Sequence, residues 1–98
     1  MRDQGVLQEV KQTLAQLAEM APGRAIEVHV PPYAAVQCGD GPTHTRGTPP
    51  NVIEMNAETW LALARGTTTW SEAMDAGLIV ASGVRADLSS LLPLRMSQ

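Results

Sequence analysis

Phenylalanine is absent from this 98-residue chain, and its only aromatic residues are Tyr33, Trp60 and Trp70. Any core or cavity it builds is therefore walled by Leu, Val, Ile, Ala and Met around the two indoles. A single cysteine, Cys38, excludes an internal disulfide. No stretch approaches the ~18 consecutive apolar residues of a membrane span. Lysine occurs once among seven cations, the arginines are scattered singly, and the net charge is −3. That excludes the electrostatic footprint of a nucleic-acid binder and the basic cluster of a membrane-surface helix. The opening Met1-Arg2-Asp3-Gln4 leads into a polar helix without the apolar core of a signal peptide, so a cytoplasmic protein is expected.

What is present reads as one domain spanning residues 1–98. Leu7, Val10, Leu14, Leu17 and Ala18 recur at helical spacing, which predicts an amphipathic helix from an Asp3 cap to Met20, ended by Pro22-Gly23. Its apolar stripe either docks on the chain's own sheet or pairs with a second subunit in a homodimer. Ile26, Val28 and Val30 alternate with Glu27 and His29, the pattern of a half-buried strand. Pro31-Pro32-Tyr33 turns the chain, because neither proline donates to a ladder. Ala34 to Cys38 then reads as the antiparallel partner, with Val36 and Cys38 facing alike. From Gly39 to Pro50 no large apolar side chain occurs, the composition of a functional loop or of a short third strand around His44 to Thr48.

The second half carries sharper local signals. Asn51 to Met55 reads as a strand, and Asn56 caps a helix with Ala57, Trp60, Leu61 and Ala64 on one face. Gly66 stands where a left-handed cap is needed, and Thr69 with Glu72 matches a capping box. Trp70, Ala73 and Met74 are expected to face inward before Gly77 ends that helix. Leu78 to Ser82 reads as a last strand, and Arg85 to Leu92 as a last helix closed by Pro93.

This order of elements resembles the sterol carrier protein-like family. The joint spacing of Trp60 to Arg65, Gly66, Trp70 to Ala76, Gly77, Ile79, Ala81 and Gly83 carries the likeness in the second half. In the first half, Pro31-Pro32-Tyr33-Ala34-Ala35-Val36-Gln37-Cys38 and His44-Thr45-Arg46-Gly47-Thr48-Pro49-Pro50-Asn51-Val52 are similar to small actinobacterial members of that family. The resemblance implies an α+β fold: an N-terminal helix and a mostly antiparallel sheet of four to five strands with helices packed on one face. It also implies a carrier for a fatty acyl, sterol-like or isoprenoid ligand, held between sheet and helices without a cofactor.

The candidate ligand-binding residues are Trp60, Leu61, Ala64, Trp70, Met74, Ile79 and Leu88 as apolar lining, with His44 and Arg46 for an anionic head group. A guanidinium makes paired charge-assisted bonds to a carboxylate or phosphate, the physical reason for including Arg46. The plainer reading makes Trp60 and Trp70 ordinary core and has Arg46 pair with Asp40 or Glu54. Cys38 reads as a buried, inert thiol. An enzyme would need Cys38, His44 and Arg46 to converge on one cleft. No second Cys or carboxylate cluster completes a metal site. The competing reading is a non-catalytic interaction domain that keeps the fold without a usable cavity.

Overall fold

The structure is a computed structural model that describes residues 4–41 and 51–94. Helix α1 (Gln4–Met20) leads into strands β1 (Ile26–Val30) and β2 (Ala34–Cys38), and β3 (Asn51–Glu54) follows. Helices α2 (Ala57–Arg65) and α3 (Trp70–Asp75) precede β4 (Val80–Ser82). The four strands form one mixed sheet in the order β2-β1-β3-β4. The β1–β2 and β3–β4 pairings are antiparallel and the central β1–β3 pairing is parallel. The fold is therefore the expected α+β arrangement. The proposed strand around His44 to Thr48 lies outside the described residues.

Register sorts the side chains cleanly. Val28 stands opposite Val36 and beside Ile53, Ile26 stands opposite Cys38, and Ile53 stands opposite Ala81. These point to the helices, while Glu27, His29, Gln37, Glu54 and Val80 occupy the outer face, because the pleat alternates every residue. Val10, Leu14 and Leu17 of α1 are fully buried against this inner face, together with Val28, Val30, Cys38 and Ile53. The apolar stripe of α1 is thus used inside its own core. An exposed Arg65–Glu9 ion pair also ties the end of α2 to α1.

Caps set the limits of the later helices. Asn56 Oδ1 accepts the Thr59 N–H at 2.8 Å, and Gly66 closes α2 at φ 82°. In α3 the Thr69 hydroxyl accepts the Glu72 N–H while the Glu72 carboxylate accepts the Thr69 N–H, both at 3.1 Å. The Leu78 N–H bonds back to the Ala73 carbonyl, so Leu78 belongs to the helix exit and β4 starts only at Val80. Trp70 is partly buried against the core and Ala73 is buried, but Met74 is 40% exposed, contrary to the inward position expected from spacing. A helix of six residues has one buried row, and Ala73 takes it.

The last expected helix is replaced by turns. Asp87 Oδ1 accepts the Ser89 N–H at 2.8 Å, and the Leu91 N–H reaches the Leu88 carbonyl. An Asp side chain that satisfies a backbone N–H two residues on competes directly with helix formation. Leu88 is still fully buried, and Leu94 is anchored by its N–H on the Ala64 carbonyl at 3.0 Å.

Candidate functional site

The same anchor creates a groove. It draws the C-terminal segment across the end of α2 and leaves a recess of about 350 Å³ between two walls. One wall is the α2–α3 connection, with Gly66, Thr68, Thr69, Trp70 and Ser71; the other is Ser89, Leu92 and Pro93. Gly66 is required at its corner. Its left-handed φ disfavours a side chain, and a Cβ there would stand 3.3 Å from the Pro93 ring. The partly buried Trp70 and Leu92 supply the apolar surface, and four hydroxyls occur among the lining residues.

The predicted lining residues divide into three groups. Trp60, Leu61, Ala64, Ile79 and Leu88 are buried together in the core cluster. The Trp60 indole N–H donates to the Thr13 hydroxyl at 2.8 Å, which pins that ring between α2 and α1. Trp70 lines the groove, and Met74, one helical turn further along α3, is exposed. His44 and Arg46 lie outside the described residues. Sequence reasoning did not single out Ser71, Ser89, Leu92 and Pro93 as a wall, since Ser89 to Pro93 read as the end of a helix. The available signal was the Asp87-x-Ser89 spacing of an Asx turn.

The chemistry of the described polar groups is modest. Cys38 is completely buried on the inner sheet face, and burial pushes its thiol above the ordinary 9.0. His29 sits on the opposite face, 3.2 Å from the Glu27 carboxylate. The two therefore do not share a cleft. Among the described residues no cluster of His, Cys, Asp or Glu is arranged to hold a metal ion. Two further hollows, of about 450 and 370 Å³, lie against His29 on the outer face. Both are more open than the Trp70 groove, and among the described residues neither has a wall from a second layer.

No helix among the described residues is long and apolar enough to cross a membrane. No curated protein matches the chain. A family model described as a bacterial SCP ortholog matches residues 2–94. With the helix, mixed sheet and capped helix pair in place, the chain belongs to this sterol carrier protein-like family.

Proposed function

We propose that this protein is a non-catalytic cytoplasmic carrier module that holds one hydrophobic or amphipathic small molecule, of fatty acyl, sterol-like or isoprenoid character. Family membership supports a lipid-carrier role in general. The observation that carries the reading further is the partly buried Trp70 indole facing a two-walled recess of about 350 Å³. That volume falls at the lower end of the ~300–1,000 Å³ common for small-molecule sites. The ligand's apolar part lies along Trp70, Leu92 and Pro93, and each buried CH₂ contributes roughly 0.8 kcal/mol. Trp60, Leu61, Ala64, Ile79 and Leu88 act from beneath, as the packed layer that holds α2 and α3 in position.

The Trp60→Phe variant leaves Trp70 as the sole indole and tests this directly. Titration with hexadecanoate, cholesterol or farnesol should give a saturable shift of Trp70 emission with at least one of them. A folded variant that responds to none of the three contradicts the carrier reading.

A second reading, an interaction domain, is favoured by one observation. Leu78, Val80 and Val84 are 48%, 67% and 100% exposed around the short edge strand β4. Exposed apolar side chains on an open strand edge invite pairing with another chain. Concentration-dependent association that Val80→Lys abolishes, together with no lipid uptake, would favour it over the carrier.

A further inference from the structure

We propose that the free edge of β4 is a docking site for an extended segment of another protein, one that alternates apolar residues with Lys or Arg. β4 ends the sheet, with β3 on one side and, among the described residues, no strand on the other. All of its residues, Val80, Ala81 and Ser82, are exposed. Val80 faces outward in line with Glu54, while Ala81 stands in the inner row beside Ile53. The exposure of Ala81 means that the helix layer stops short of β4, so both faces of the strand lie open. Leu78, just before the strand, adds a 48% exposed apolar side chain. Strand addition uses such an edge: main-chain bonds hold the segment, and alternate side chains select it.

Charge decides which segment fits. Glu54, opposite Val80, is exposed and has no ion pair among the described residues. Asp75 ends α3 shortly before Leu78 and is likewise exposed and unpaired among them. The described cation closest along the chain, Arg85, is turned to the Asp40 carbonyl at 3.1 Å. A strand added beside β4 lies about 10 Å from β3, two sheet spacings. A Lys or Arg placed across from Val80 covers it with its methylene stem and carries its charge toward Glu54. Its neighbours along the strand turn to the other face, where apolar side chains cover Ala81.

A second copy of this chain fits less well. Paired about Ala81, it sets Ser82 against Val80; paired about Val80, it brings a second Glu54 into the same row. A bilayer leaves the peptide groups of the edge without partners, which hydrocarbon penalises.

Three blocked hexapeptides test the proposal through amide chemical shifts: Lys-Val-Lys-Val-Lys-Val, Glu-Val-Glu-Val-Glu-Val and Lys-Lys-Lys-Val-Val-Val. The first should shift the amides of Val80–Ser82 saturably and bind roughly tenfold more tightly than either of the others. Glu54→Gln, a change at an exposed side chain, should cut its advantage over the Glu peptide to about threefold, as should salt at about 0.5 M. No shift at Val80–Ser82 with the alternating Lys peptide overturns the site. Equal binding of the Glu peptide overturns the charge match. Equal binding of Lys-Lys-Lys-Val-Val-Val reveals charge attraction without strand addition and overturns the docking mode. The proposal also falls if these amides respond instead to self-association or to phosphatidylcholine vesicles. None of these readouts involves Trp70, so every outcome leaves the carrier reading where it stands.

Discussion

Trp60 and Trp70 stand on consecutive helices yet meet different surroundings. Trp60 is fully buried and donates to Thr13, while Trp70 is only partly covered and borders the groove. Trp60→Ala should therefore cost about 3–5 kcal/mol in urea unfolding, the usual penalty for emptying a large core site. Trp70→Ala should cost about 1–2 kcal/mol, in keeping with its partial burial. Acrylamide should quench Trp70 in the Trp60→Phe protein and barely reach Trp60 in Trp70→Phe.

Cys38 and Asp87 give pH signatures of opposite sense. The Cys38 thiol is raised by burial, so the native state holds its proton longer than the unfolded chain. Its contribution is complete below the unfolded thiol value and is lost as pH rises through the folded one. Thermal unfolding followed from pH 8 upward should fall more steeply for the native sequence than for Cys38→Ala (pH values about the ordinary thiol range). Asp87 is lowered by its backbone and hydroxyl bonds from Ser89. Its contribution is present above the ordinary 3.8 and is lost as pH falls through the folded value, so Asp87→Asn should flatten the acid limb of the same curve.

At the scale of elements, Asn51 links parts of the chain that no helix joins. Its amide donates to the Ala25 carbonyl at 2.8 Å, and its Oδ1 accepts the Arg85 N–H at 2.9 Å. Asn51→Ala should destabilise by about 2 kcal/mol in denaturant titration, near 1 kcal/mol for each bond. Gly66→Ala should lose a further measurable amount, upward of ~1 kcal/mol, from the left-handed backbone and the Pro93 contact.

The elements legible in the sequence were those whose signals are local. Asn56, Gly66, Thr69 and Glu72 are caps that act within a turn of chain, and each does so here. The alternation of Ile26, Val28 and Val30 likewise marks a strand with one buried face. Helical spacing misled where a local competitor existed: Asp87 captures the Ser89 N–H, and the segment before Pro93 turns instead of coiling. Leu78 looked like strand because it is apolar, but its N–H is taken by the exit of α3. The groove was illegible for a different reason. Its walls come from residues 66–71 and 89–93, and the Leu94 bond to Ala64 that brings them together has no sequence spacing to reveal it.

For the whole molecule, the apolar stripe of α1 is already spent on its own core, so α1 offers little for pairing with a second copy. Sedimentation of the isolated protein should report a monomer. The helices then cover one face of the sheet, the polar outer face meets water, and the Trp70 groove opens between α2 and the C-terminal segment. In the proposed function this groove is the site through which the carrier role is exercised. Native mass spectrometry of the protein purified from its own cells, followed by organic extraction, tests that most directly. A discrete adduct, whose mass matches an extracted hydrophobic or amphipathic molecule and whose occupancy falls in Trp70→Ala, is the expected result. A clean apo mass, with no uptake when alcohols, fatty acids or sterols are supplied, would contradict it.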